Sequence, residues 1–281
     1  MLSSEDLAKL HKVNLEMLKE VHRICEKYKI RYFLYFGTLL GAVRHNGFIP
    51  WDDDSDVVIF YEDRKRFVDA CKKELSDRFS FKEFYYNGRI CLFAEKTKTI
   101  DEKNLMQKIS IDIFYINHYP ENKILNKITM YVNSFFIFTY LLKRYKNPIK
   151  YQTFIGKIFS PFIFIASYMP YTLLTYMYKI LTCFKYLSSK EKHFCYSFLP
   201  ERIVKNPEAY CIDYSLKLCL HKFEDTEFYI PEDYHKYLST LYGDYMVPPP
   251  DIENNTDNWE VRNSGRAGHG FVFVDFGDWF E

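Results

Sequence analysis

Residues 52–56 read Asp-Asp-Asp-Ser-Asp, four carboxylates in five positions. Like charges a few ångströms apart repel and raise one another's pKa, and a divalent cation reverses that penalty by taking the oxygens as ligands. The run therefore reads first as a metal site, for Mg²⁺ or Mn²⁺. Asp56 is followed by Val57, Val58, Ile59 and Phe60 and then by a polar stretch at residues 61–66, the pattern of a strand and its end. Residues two apart on a strand point the same way, roughly 6.5 Å from each other. Asp54 and Asp56 then share a face, Asp52 shares their parity, and Asp53 points away. A pair so spaced suits two ions, or one ion and a phosphate. Asp112 interrupts the apolar run Ile111, Ile113, Phe114, Tyr115 and Ile116, and an acid in a strand made for burial needs a partner. A calcium loop of EF-hand type would need a central glycine that residues 52–63 lack, and a solvated acidic turn would not usually run straight into strand formers. Asp54, Asp56 and Asp112 are the expected catalytic acids, and Asp52, Asp54, Asp56 and Asp112 the expected metal ligands.

These acids need an element that brings a phosphate to them. Residues 31–36 form an apolar strand candidate ending at Gly37 and Thr38, and residues 38–44 read as the first turns of a helix. Glycine lets the backbone approach closely, the hydroxyl donates, and the helix start offers unpaired N–H groups with a positive dipole end. Thr38 could equally be a simple helix cap. Arg44 and His45 end that helix, within reach of donor phosphates on one reading and part of a solvated basic surface on the other. Trp51, beside Pro50, reads as packing or as a stacking surface for a base or an ammonium group.

Phe36-Gly37-Thr38, then Asp54-Ser55-Asp56, then Asp112 resembles the nucleotidyltransferase superfamily pattern of a hydrophobic residue, Gly, a small hydroxyl residue, an acid-x-acid strand and a third acid. More narrowly, residues 37–45 (Gly-Thr-Leu-Leu-Gly-Ala-Val-Arg-His) with residues 47–56 (Gly-Phe-Ile-Pro-Trp-Asp-Asp-Asp-Ser-Asp) look like the LicD family of phosphocholine transferases, to which the fukutin-type ribitol-phosphate transferases are related. A second segment, residues 228–249, is similar to the C-terminal stretch of that family. The likeness covers residues 20–120 and 220–250, and the middle diverges.

The resemblance implies a moiety that the acids alone do not. LicD-like enzymes move phosphocholine or a related phospho-alcohol from a CDP-activated donor such as CDP-choline to a sugar hydroxyl of a surface glycan, as in lipopolysaccharide or capsule biosynthesis, where the acceptor can be lipid-linked. Gly37, Thr38, Arg44 and His45 would then contact the donor. Ordinary nucleotidyltransferases use the same acids to move the nucleoside monophosphate half. A non-catalytic membrane-associated scaffold retaining a relic site is the third reading. Arg262, Arg266 and His269 sit where relatives carry basic residues, though the local pattern departs from theirs.

The chain of 281 residues can bury one large core or two modest ones, and its formal charge of +1 gives no electrostatic case for nucleic acid as a partner. Seven cysteines lack a Cys-x-x-Cys anchor for zinc and read as reduced thiols, the cytosolic default, so the expected location is the cytoplasm, with the inner face of the cell membrane as the alternative. Ser4 with Leu7, Leu10, Leu15, Leu18, Val21 and Ile24 suits a capped amphipathic helix rather than a signal peptide. The 21 residues between Lys157 and Lys179 carry no charge, yet Pro161 and Pro170 interrupt them and tyrosines are scattered through them. Packed helices, an interfacial surface making peripheral membrane contact, and a true span compete for that stretch. The expected fold is α+β: a nucleotidyltransferase-like mixed sheet with flanking helices over residues 1–120, a largely helical aromatic-rich subdomain over 121–225, and a C-terminal segment over 226–281 packing back on the core, with Pro248, Pro249 and Pro250 as a linker.

Overall fold

In the computed structural model, which describes residues 2–84, 89–101, 106–118, 161–181, 192–195, 211–213, 216–248 and 271–280 and isolated positions between 124 and 143, the N-terminal pattern becomes helix α1 (Ser4–Tyr28). Leu10, Val13, Met17, Leu18, Val21 and Ile24 recur at helical spacing and are buried. Ser3, not the expected Ser4, is the cap: its hydroxyl accepts from the Asp6 N–H at 3.0 Å, the third residue on, which is the donor a capping oxygen reaches. Lys29 in the left-handed region ends the helix.

The chain is α+β and divides into two compact units. The first comprises Met1–Glu83, Arg89–Tyr115 and Ser215–Glu281, and the second Phe84–Gly88 and Ile116–Tyr214. In chain order the first unit carries strand β1 (Tyr32–Leu34), helix α2 (Phe36–His45), strand β2 (Asp56–Phe60), helix α3 (Arg64–Glu74) and strands β3 (Phe79–Phe84), β4 (Arg89–Ala94), β5 (Lys98–Asp101), β6 (Met106–Gln107) and β7 (Ser110–His118). Its main sheet runs β1-β2-β7-β4-β3. The pairs β1/β2 and β4/β7 are antiparallel, with Leu34 opposite Val57 and Cys91 opposite Asp112. Val57, Val58, Ile59 and Phe60 are all fully buried, so β2 is covered on both faces, and its sequence is a continuous apolar run rather than an alternating one.

The expected boundaries shift around the site. The strand before Gly37 is only three residues long, and α2 already starts at Phe36, so Gly37 and Thr38 lie inside its first turn and Thr38 is not the cap. Likewise β2 begins at Asp56, which leaves Asp52 and Asp54 in the irregular segment ahead of it. Shared parity along a strand therefore does not relate Asp54 to Asp56; the loop sets their separation.

In the second unit the end of β7 pairs with β8 (Lys192–Cys195), and β8 with β9 (Cys211–Asp213). A helical turn at residues 161–166 and helix α4 (Tyr171–Leu181) bury Ala166 and Leu174 against Phe136. Among the described residues no helix is long and apolar enough to cross a membrane. The first unit is completed by the hairpin β10 (Leu218–Phe223) and β11 (Thr226–Pro231), helix α5 (Tyr234–Tyr242) and strand β12 (Phe271–Asp275), which pairs with β5. Phe223, Phe228 and Ile230 enter the main core. At the hairpin turn Glu224 accepts from the Phe48 N–H at 3.0 Å and donates its own N–H to Asn46 O at 2.8 Å, fastening the hairpin to the loop that carries the acids.

Gly41 lies inside α2, where alanine would ordinarily be worth about 1 kcal/mol more than glycine. A Cβ there would stand 2.5 Å from the Gly47 carbonyl oxygen and 3.2 Å from the Ile49 N. Because those atoms are backbone, Gly41→Ala is expected to reverse the usual sign and destabilise by about 1–3 kcal/mol, read as a lower urea midpoint at unchanged slope.

Candidate functional site

The first turn of α2 and the start of β2 hold each other. Tyr35 N–H donates to Asp56 O at 3.0 Å, and Asp56 N–H donates to Thr38 Oγ1 at 2.8 Å, so the Asp56 peptide is gripped from both sides. The Thr38 oxygen is an acceptor there, and its proton remains to be donated elsewhere. One residue earlier, Ser55 O accepts from Asp112 N–H at 2.9 Å, which ties β7 to the acid segment. Asp112 is buried, and the Cys91 thiol donates to its Oδ1 at 3.0 Å. Phe36 takes φ 43°, an unusual value for a bulky residue, and its ring packs edge-on against Phe114 two residues beyond Asp112.

Asp52 sits deepest. A Cβ on Gly37 would lie 2.6 Å from its Oδ2, so the missing side chain at Gly37 is what admits this carboxylate against the helix start. The Asp52 carbonyl accepts from His11 Nε2 at 2.7 Å, which fixes the tautomer because a carbonyl only accepts. The His11 ring stacks on Phe48 with centroids 4.5 Å apart, and burial pushes its pKa down. Asp52 itself is pushed well above the ordinary carboxyl value, first by burial and then by the charges of Asp54 and Asp53. It shares a hydrogen bond with Asp54, while its Oδ1 is buried without a hydrogen-bond partner. A buried carboxylate oxygen left in that state is costly.

Asp53 behaves differently. Its Oδ2 accepts from the Phe271 N–H at 2.9 Å, so it clamps β12 to the acid segment. Parity had turned it away from its neighbours; its partner, 218 positions along the chain, has no local signal. His11 and Glu224 were missed for the same reason.

Arg44 and His45 occupy the last turn of α2, with Arg44 about 10 Å along the axis from Gly37. Neither is a solvated surface charge. Arg44 Nε donates to His45 Nε2 at 2.9 Å, Nη1 donates to Tyr245 O at 3.0 Å, and Nη2 is buried without a hydrogen-bond partner. Burial lowers the pKa of both, and the Asp52 charge opposes that shift for Arg44, which puts the guanidinium within electrostatic reach of the acids. Trp51 stands edge-on to His45 at 5.9 Å and 5.8 Å from the Arg44 guanidinium. Among the described residues no three His, Cys, Asp or Glu side chains form a ready-made metal cage. Arg262, Arg266 and His269 lie outside the described residues.

Residues 29–160, which contain every element just described from β1 to β7, match the family described as LicD/FKTN/FKRP, nucleotidyltransferase domain. The lipopolysaccharide cholinephosphotransferase LicD of Haemophilus influenzae is 30% identical over 253 residues, 85% of this chain and 91% of that protein. The chain belongs to the LicD family. It is a LicD-type phosphotransferase. The human ribitol 5-phosphate transferase FKRP is 45% identical over 53 residues, 17% of this chain and 11% of that protein, and an uncharacterised protein of Rickettsia typhi is 37% identical over 117 residues, 38% and 37% of the two chains.

Two outcomes follow from the geometry of this LicD-family site. The Asp52 carboxyl in the native state holds its proton to higher pH than the unfolded chain, whose carboxyl titrates near 3.8, so stability falls as pH rises above about 4. Asp52→Asn keeps a donor toward Asp54 and removes that penalty. The variant is expected to lose activity yet to melt higher at neutral pH, by about 2–4 °C per kcal/mol regained, with a flatter pH profile by calorimetry. Asp53→Ala releases β12 and is expected to lower the phosphotransfer rate about tenfold, whereas Asp53→Asn, whose amide oxygen still accepts from Phe271 N–H, restores most of it in the same rate assay.

Proposed function

We propose that the protein transfers phosphocholine, or a related phospho-alcohol, from a CDP-activated donor to a sugar hydroxyl of a cell-surface glycan; the Haemophilus relative is named a lipopolysaccharide cholinephosphotransferase, which supports the transferred group and the class of acceptor. The observation that carries the reading is the buried, unpaired Oδ1 of Asp52 under the start of α2, in a segment with three further acids. That donor set fits a hard divalent cation, which takes carboxylate oxygens and relieves their repulsion. Mg²⁺ or Mn²⁺, held by Asp52, Asp54, Asp56 and Asp112, would neutralise charge on the donor diphosphate and on the departing CMP.

The chain's own groups would do the rest. The Thr38 hydroxyl, its oxygen already fixed by Asp56 N–H, donates its proton to a donor phosphate oxygen, and the first-turn N–H groups of α2 favour the same negative charge. Asp112, oriented by the Cys91 thiol on Oδ1, takes the proton of the acceptor hydroxyl. The acceptor oxygen then bonds to the phosphorus that bears the alcohol, the bond from that phosphorus to the bridging oxygen breaks, and CMP leaves with the electron pair. Arg44, held by His45 and Tyr245, adds a fixed positive charge within electrostatic reach of Asp52.

The fate of a label separates this from the alternatives. With CDP-choline labelled in choline and an acceptor glycan, the label is expected on the glycan as phosphocholine, and Asp54→Ala or Asp56→Ala is expected to cut its appearance at least about a hundredfold. Cytidine label on the acceptor instead would identify nucleotidyl transfer, and no label on either with a bound cation unaltered by those substitutions would leave only a scaffold.

A further inference from the structure

The second unit contains a surface to which the mechanism above assigns no role. Between residues 122 and 190 the sequence has ten Lys and Arg and no Asp or Glu, in a chain whose formal charge is +1. All the acids that balance these cations lie elsewhere. Within this basic stretch, residues 158–178 carry no charge at all.

The structure shows where the apolar side chains of that stretch go. Ile163, Ala166 and Leu174 point inward. Phe164, Ile165 and Tyr168 on the first helical turns, and Leu173, Tyr176 and Ile180 on α4, point outward with 45–74% of their surface exposed. Leu173, Tyr176 and Ile180 follow i, i+3, i+7 spacing and so form one stripe on α4. The Phe164 and Tyr168 rings meet edge to face at 5.3 Å, forming a second aromatic ridge before Pro170. Among the described side chains of residues 161–180, more large apolar ones face out than in, the reverse of a surface helix in a water-soluble domain, and such a patch marks an interaction site. At the turn joining the two helical pieces, Lys143 Nζ donates to Ser167 O at 3.0 Å and stands 4.9 Å from the Tyr171 ring, which fixes a cation beside the apolar face.

We propose that this face, residues 161–180, lies in the interface of an anionic phospholipid bilayer as a peripheral anchor. The pieces are too short to span a bilayer, and Pro170 separates them, which suits elements lying flat. Aromatic and aliphatic side chains enter the headgroup boundary, tyrosines place their hydroxyls at its wet edge, and Lys143 with the acid-free basic sequence that flanks the face along the chain supplies attraction to lipid phosphates. A polyanion without an apolar phase would account for the cations and leave the exposed Ile165, Leu173 and Ile180 unexplained. The inference is independent of which group the first unit transfers.

Co-sedimentation of the full chain with vesicles tests it. The protein is expected to pellet with phosphatidylcholine and phosphatidylglycerol in equal parts, at least about tenfold more tightly than with phosphatidylcholine alone, and to be released by high salt. The triple substitution Ile165→Ser, Leu173→Ser and Ile180→Ser is expected to weaken binding at least about tenfold while leaving the far-ultraviolet circular dichroism and the transfer to a soluble acceptor unchanged. No pelleting with the mixed vesicles, or pelleting unaffected by salt and by the triple substitution, overturns the proposal. So does a wild-type dimer in light scattering that the same substitutions render monomeric, since a second copy would then cover the face. If the triple variant fails to fold, the contrast between the two vesicle types and the salt release decide the matter with the native chain alone.

Discussion

Mutual repulsion of carboxylates is the constraint around which the first unit is arranged. Four acids lie within five residues, and the deepest keeps one oxygen with no hydrogen-bond partner. A chain left to minimise that energy would splay them into solvent. Here separate elements prevent it: α1 through His11, the start of α2 through Thr38 and Tyr35, β7 through the Asp112 N–H, and β12 through the Phe271 N–H. Most of these grips are on the backbone, so they fix the peptide planes of the acid segment, and the one from β12 holds the Asp53 carboxylate itself. That division of labour is how a strained site is held by its surroundings rather than by its own preferences.

The glycines show the same economy of means. Gly37 admits the Asp52 carboxylate, Gly41 admits the Gly47 carbonyl, and a Cβ on Gly47 would collide with Glu224. Three close approaches along one helix and its exit loop bring the acids, the helix and the C-terminal hairpin within contact of one another. Aromatic packing reinforces this, with Phe48 lodged between the His11 ring at 4.5 Å and the Phe223 ring at 4.8 Å.

Much of this was readable along the chain because it is local. The amphipathic period of α1, the apolar run of β2 and the strand around Asp112 all depend on neighbours a few residues away. Boundaries were less readable: the Leu39 N–H reaches back to the Tyr35 carbonyl and so encloses Phe36 in the first turn, although that residue adopts a positive φ that no propensity of phenylalanine suggests. Long-range pairings were invisible. His11 meets Asp52 across 41 positions, Phe48 meets Glu224 across 176, and nothing about a histidine, a glycine-flanked phenylalanine or a hairpin glutamate declares its partner. Arg44 was read as a phosphate contact or a surface charge, and its bond to the Tyr245 carbonyl, 201 positions along the chain, has no local signal either.

The bond from Asp53 to Phe271 also has a meaning in time. Synthesis runs from the N-terminus, and at about 5–20 residues per second the 218 residues between the two partners take on the order of 10–40 s to emerge. During that interval α1, α2 and the first strands can collapse, but the acidic segment lacks the backbone donor that completes its frame. A nascent or prematurely terminated chain thus holds the acidic segment without its clamp to β12 until Phe271 has emerged.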